Sequence, residues 1–288
     1  MKLSFITDEG TQDFEEAVRF AREQGLQGLE LRSVEDKPID RIPRTALRAW
    51  ERRLREEGLM VSNIAGSFGK CRAGLDDMDK ELEKLQRLCD AADIFGCETI
   101  RGFCFFIPDN GIPLSGERIK KELDKAEVIL RTRGKKLLLE ADPSVNTTNH
   151  GQLSKLLKLL DPEFFGAIYD PGNDLFDPEG EEPFPRGYEA VAERLAHVHV
   201  KDAVYDQAGR PVCVAPGKGL VPYREVLERL KNDGYEGWLS LEPHYRKDVR
   251  LTEEQMRLPQ GASFSRGGLE AAAESAEAFK SLLEDIYG

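Results

Sequence analysis

"LAHVHVKD", residues 195–202, alternates apolar and polar side chains. A period of two is the mark of a β-strand, whose successive side chains point to opposite faces. Val198 and Val200 suit a face covered by helices, which leaves His197, His199 and Lys201 on the other. A polar face inside a buried strand is costly unless its groups have partners or a task. The stretch therefore raises two questions: what encloses this strand, and what does its polar face meet?

Working outward, short apolar strands alternate with longer amphipathic helices. The strands are expected at Leu3–Thr7, Gly28–Arg32, Met60–Ala65, Thr99–Phe103, Lys136–Ala141, Phe165–Asp170, Ala196–Lys201 and Gly237–Glu242. Helical patterns fall near 11–24, 43–57, 76–95, 116–133, 149–160, 186–194, 222–233 and 268–286. In "FEEAVRFAREQG", Phe14, Ala17, Val18 and Ala21 share one face, opposite the charges. Gly25, Gly58, Gly96, Gly134 and Gly234 close helices just before the next strand, as C-caps do. Strict alternation predicts a parallel sheet. Eight units closed on themselves give an α/β fold, a single (β/α)8 TIM barrel over residues 1–288. An open doubly wound sheet is the competitor. It would favour a Gly-rich first turn, whereas "TDEGTQDF" carries one glycine and no dinucleotide fingerprint.

Composition narrows the function classes. With 41 basic and 53 acidic residues the net charge is −12, which argues against nucleic acid as a partner. No apolar run is long enough for a membrane span, and "MKLSFITDEG" does not read as an export signal. Five cysteines, none in a C-x-x-C pair, suit free thiols in a reducing compartment. The expected location is the cytoplasm. Two long connections, 203–221 and 243–267, leave the C-terminal ends of the last two strands. Such segments serve as lids, binding loops or contacts in a homo-oligomer.

Four strands finish on chemically active residues: Glu140 in "KKLLLE", Asp170 in "FGAIYD", His199 in "HVHVKD" and Glu242 in "WLSLE". Alternation turns each of them inward. Three carboxylates and an imidazole converging at one end of a barrel could hold one divalent ion of the Mn, Mg, Zn or Co type. The same groups could instead form a metal-free ion-pair network with Lys136, Lys201 and Arg101.

At these residues the chain resembles the xylose isomerase-like TIM barrel superfamily, the sugar phosphate isomerase/epimerase family that also includes the AP endonuclease family 2-like proteins. The resemblance rests on "GLQGLELR" (25–32), "LLLEAD" (137–142), "IYDPGN" (168–173), "AHVHVKD" (196–202) and "PGKGLVPYREVLERLKNDGYEGWLSLEPH" (216–244). It implies one divalent metal ion on Glu140, Asp170, His199 and Glu242. It further implies an isomerase or epimerase of a small sugar or sugar phosphate working through a metal-bound enediolate. Glu140 and Glu242 would be the paired acid/base residues. A dehydratase of the inosose type shares the first proton abstraction, and a sugar-binding barrel without chemistry is the third reading. Asn173 stands where epimerase members commonly have a histidine; it can bond a hydroxyl but carries no charge. The endonuclease relatives need more histidines than the four present here.

Further candidates follow from position. Glu30 could bind a substrate hydroxyl or support the site from behind, and a structural ion pair between strands is the alternative for Glu30 or its same-face neighbour Arg32. Lys201 could contact an enolate or phosphate oxygen, and His244 and Arg101 could reach the substrate. His197, one layer deeper than His199, could orient Glu242 from behind. His150 reads as a cap residue of its helix, and Lys218 and Arg246 as more distant contacts for an anionic group.

Overall fold

The computed structural model describes residues 1–74, 76–247, 251–257, 259 and 261–287, with the backbone alone for Glu253 and Tyr287. Eight parallel strands close into a ring: β1 (Lys2–Ile6), β2 (Gly28–Leu31), β3 (Met60–Phe68), β4 (Thr99–Gly102), β5 (Lys136–Glu140), β6 (Phe165–Tyr169), β7 (Leu195–Val200) and β8 (Trp238–Leu241). Neighbours in the ring are neighbours in sequence. β8 closes it on β1, with Lys2 opposite Trp238 and Phe5 opposite Leu241.

The period-two reading sets the layers. Leu29, Leu31, Leu137, Leu139, Val198, Val200, Leu239 and Leu241 pack in the hydrophobic layer between strands and helices. The alternate positions fill the barrel axis, where Ser4, Glu30, Asn63, His197, His199 and Ser240 are all buried. This interior is far more polar than the branched aliphatic filling usual for the fold. At the N-terminal end Trp238 turns inward, and a β-carbon on Gly28 would lie 2.8 Å from its ring. Glycine there makes room for the indole that plugs this end.

The helices follow their local signals. Phe14–Glu23 begins where Asp13 accepts from the Glu16 N–H, and it buries Phe14, Ala17, Val18 and Ala21 as expected. Met78–Phe95 begins where Asp77 accepts from the Asp79 and Lys80 N–H groups and ends on Gly96 at φ 65°. The helix expected near 186–194 shrinks to Tyr188–Val191 with irregular turns on both sides. Pro183 and Pro185 just before it lack the N–H groups a longer helix would need.

Both long connections hold structure of their own. Asp202–Tyr205 and Pro211–Val214 pair as an antiparallel hairpin. The second connection carries two short helices, Glu253–Arg257 and Gly261–Ser265, while 248–250, 258 and 260 lie outside the described residues. Hairpin and helical strap stand over the C-terminal mouth of the barrel. The closing helix, Gly268–Tyr287, packs on Tyr223 through Phe279.

Candidate active site

Four strand ends meet at that mouth. Glu140 closes β5, Asp170 follows β6, His199 lies in β7 and Glu242 follows β8. One ligand atom from each lies within 4.8 Å of the others, and all four residues are buried. His199 Nδ1 is the centre, 3.0 Å from Glu140 Oε1 and 3.3 Å from Glu242 Oε2.

Each member is held by one side, which leaves another atom facing the centre. Arg32 fixes Glu242 through Oε1 at 2.6 Å. Arg101 fixes Glu140 through Oε2 at 3.2 Å, its other nitrogens donating to the Ala65 and Gly66 carbonyls. Asp170 Oδ1 accepts from the Gly172 and Asn173 N–H groups, capping the turn Pro171–Asp174. His199 Nε2 lies 3.2 Å from Glu30 Oε1, and His197 Nε2 lies 2.8 Å from Glu30 Oε2. Asn63 also donates to Glu30. Glu30 thus fixes the His199 ring from behind, with Nε2 toward Glu30 and Nδ1 toward Glu140 and Glu242.

Asp170 Oδ2 and Glu242 Oε2 are both buried, and charged groups are their close partners. Lys201 Nζ lies 2.7 Å from the first and 3.1 Å from the second, while its hydrogen bond goes to Asn173 Oδ1 at 3.0 Å. The two carboxylate oxygens, with Glu140 Oε1 and the imidazole Nδ1, form an oxygen-rich donor set with one nitrogen. That chemistry fits a divalent cation.

The protonation pattern agrees. Burial alone would lower the His199 pKa, but Glu30, Glu140 and Glu242 outweigh it and hold it well above the ordinary value. The centre thus demands positive charge, which a proton or a cation on Nδ1 supplies. Burial pushes Asp170 up to about 6, against the pull of Lys201. Lys201 stays an ammonium, because Asp170, Glu242 and Glu140 overcome its own burial.

A cavity of about 980 Å³ opens above the cluster. Glu140, Glu242, Asn173, Lys201, Arg101 and His244 line it, together with Pro211–Cys213 of the hairpin and Met256 of the strap. His244 adopts a left-handed backbone with φ 50°, and both its ring Nδ1 and its backbone N–H face Glu9.

Some expectations need correction. Glu30 is not at the cavity wall: it is fully buried behind His197 and His199, whose ring nitrogens it faces. His197 does not orient Glu242; its ring nitrogen goes to Glu30. Lys136 starts β5 at the opposite end of the barrel from Glu140 and takes no part in the network. Lys218 pairs with Glu274 at the surface. Arg32 does make the structural ion pair expected for it or Glu30, with Asp8, Glu9 and, from the far end of the chain, Glu242 as partners.

Other residues of the site escape a sequence reading. Asp8 and Glu9 sit in a four-residue helical turn after β1, where "TDEG" looks like a solvated loop. Both are fully buried. Lys70 and Asp142 form a pair at 2.8 Å on the cavity wall, and the run "LLLEAD" was the only hint of the second. His150 is buried behind Asp170, 20 residues away in sequence.

A closed parallel barrel with a carboxylate–histidine cluster at its C-terminal mouth defines a (β/α)8 protein that gathers its functional groups at strand ends. The chain belongs to the xylose isomerase-like TIM barrel family, whose sequence model matches residues 18–282. It is 21% identical to the inosose dehydratase of Lacticaseibacillus casei over 140 residues, 44% of this chain and 46% of that protein. The inosose dehydratase of Klebsiella pneumoniae (strain 342) is 26% identical over 124 residues, 38% of this chain and 41% of that protein. These matches span less than half the length of the relatives. Among solved structures, the IOLI protein with a binding zinc atom superposes with a TM-score of 0.75 at 14% identity, over 100% of both chains. D-psicose 3-epimerase with D-tagatose, from Clostridium cellulolyticum H10, gives 0.72 at 14% identity over 98% of both chains. At such identities the likeness concerns the fold alone.

Proposed function

We propose that this chain is a divalent-metal-dependent enzyme of small sugars or polyols that moves a proton at the carbon next to a carbonyl. The observation that carries the reading is the convergence of Glu140, Asp170, His199 and Glu242 on one point, all four buried, directly beneath the cavity. Bound there, a divalent ion of the Mn, Mg, Zn or Co type would supply Lewis-acid polarisation of a substrate carbonyl and its neighbouring hydroxyl.

The chain's own residues do the rest. Glu140 and Glu242 flank the substrate, one taking the proton alpha to the carbonyl and the other returning one, which gives isomerisation or epimerisation. Arg101 and Arg32 hold the far oxygen of each carboxylate, so that the near oxygen stays aimed. Lys201 and Asn173 lie within reach of a substrate oxygen and fix its position. Lys201 also offsets negative charge as the proton leaves. Hairpin and strap shield the reaction from water.

A dehydratase is the second reading, favoured by the similarity to inosose dehydratases. It begins with the same proton removal and continues with loss of a β-hydroxyl. One experiment tests both. The purified protein is assayed for divalent metal, then incubated in deuterated water with Mn²⁺ and a panel of ketoses, sugar phosphates and cyclic ketopolyols. Deuterium at the carbon next to the carbonyl, with product mass unchanged apart from the label, supports the isomerase or epimerase. A product lighter by one water supports the dehydratase. A protein that takes up no stoichiometric divalent metal would sink both.

A further inference from the structure

His150 opens the helix His150–Leu157, yet it is fully buried and its ring points away from that helix toward the end of β6. Its Nε2 receives the backbone N–H of Asp170 at 3.2 Å. A backbone N–H can only donate, so Nε2 carries no proton and Nδ1 must. That Nδ1–H meets Asp174 Oδ2 at 2.6 Å, while the other Asp174 oxygen accepts the His150 backbone N–H at 3.2 Å. The ring also packs against Tyr169, centroid to centroid 5.0 Å.

One imidazole therefore grips both ends of the turn Pro171–Asp174, at the Asp170 N–H and at the Asp174 carboxylate. Between these two points the turn carries Asp170, whose Oδ1 is used up as the cap, and Asn173, which touches Glu140 Oε1 and Lys201 Nζ. With the backbone and Oδ1 both fixed, Asp170 Oδ2 is left to face Lys201 Nζ at 2.7 Å, on the side of the cluster with His199 and Glu242. Substitution of this ring would leave Asp170 in place along the chain but free its turn to rotate.

We infer that His150 and Asp174 are positioning residues: their Nδ1–H pair locks the 170–174 turn and so sets the aim of Asp170 Oδ2 at the metal point. The inference rests on the reading of Asp170 as a ligand. Groups of this kind, behind a ligand, typically change metal affinity 10–100-fold when removed.

The test uses the full chain and Mn²⁺ alone, with binding read from the electron paramagnetic resonance of the free ion. His150→Asn keeps a donor for Asp174 but cannot reach the Asp170 N–H. Asp174→Asn is isosteric but offers one acceptor oxygen to two donors. Leu156→Ala, in the same helix, serves as a control that loses stability without touching the turn. Folding is followed by circular dichroism. Wild type is expected to bind one Mn²⁺, Leu156→Ala to bind within about twofold of it, and both polar variants to bind roughly 10–100-fold more weakly. Mn²⁺ affinity within twofold of wild type in His150→Asn overturns the inference while the ligand reading stands. If that variant does not fold, Asp174→Asn decides by the same criterion. A wild type that binds no Mn²⁺ or Zn²⁺ overturns the ligand reading itself.

Discussion

Arg32 NH1 sits 2.6 Å from Glu242 Oε1, while the same guanidinium reaches Asp8 at 2.8 Å and Glu9 at 2.6 Å. Three buried carboxylates from the ends of β1 and β8 thus share one cation. Removing one partner of a buried ion pair leaves uncompensated charge, which costs about 3–5 kcal/mol. Arg32→Ala is expected to lose at least that much in denaturant unfolding. A loss below about 1 kcal/mol, with Tm within a few degrees of wild type, would show that the carboxylates find other partners.

Glu140→Gln and Glu242→Gln keep shape and remove the proton acceptor. General acid–base groups contribute about 10²–10⁴-fold, so each variant should lose at least 100-fold in kcat at saturating Mn²⁺. Elemental analysis separates a lost base from a lost ion. Full activity in either variant would end the paired-base mechanism.

Much of this was legible because barrel strands speak in two registers at once. The apolar alternation of "LAHVHVKD" and "WLSLE" placed the outer layer, and the charged residue at each strand end marked the mouth. All five helix-closing glycines named from sequence adopt positive φ. Partner choice was not legible. Arg32 meets Glu242 across 210 positions, and that pairing exists only once β8 lies beside β1. Glu30 read as a substrate contact because alternation gives the face but not the depth, and depth follows from strand stagger. His150 looked like a helix cap, since nothing local says that its ring leaves the helix for the 170–174 turn. The hairpin at 202–214 had a local cue in "DQAG", where Asp206 accepts from the Ala208 and Arg210 N–H groups.

The five cysteines are free and buried. Burial pushes Cys71, Cys104 and Cys213 up to about 12 and Cys89 up to about 11, and raises Cys97. A native protein at pH 8 should therefore react only slowly with a disulfide reagent, and fast with five equivalents after denaturation. The sign for stability follows. Above about pH 9 the unfolded thiols lose protons that the folded ones keep, so stability falls as pH rises toward the folded values. Each such thiol removes up to about 1.4 kcal/mol per pH unit in that window. Cys104→Ala should flatten the alkaline slope of Tm. An unchanged slope would mean that Cys104 ionises at the same pH in both states.

Asp202 accepts from the Ala203, Gly217, Gly219 and Val221 N–H groups, pinning the loop behind the hairpin. A β-carbon on Gly219 would lie 2.1 Å from Asp202 Oδ1. Gly219→Ala should cost about 1–3 kcal/mol, as overpacking does, and should speed proteolysis between 203 and 221. A protease pattern identical to wild type would refute that coupling.

The closure of β8 on β1 also has a meaning in time. Arg32 is synthesised 210 residues before its partner Glu242. Until the final strand docks, Arg32 lacks Glu242, Lys201 lacks one of its carboxylates and the cavity lacks a wall. A nascent chain halted before residue 238 therefore owns Glu140, Asp170 and His199 but lacks the fourth member of their cluster, Glu242. The cluster of four therefore forms only when the last barrel strand is in place.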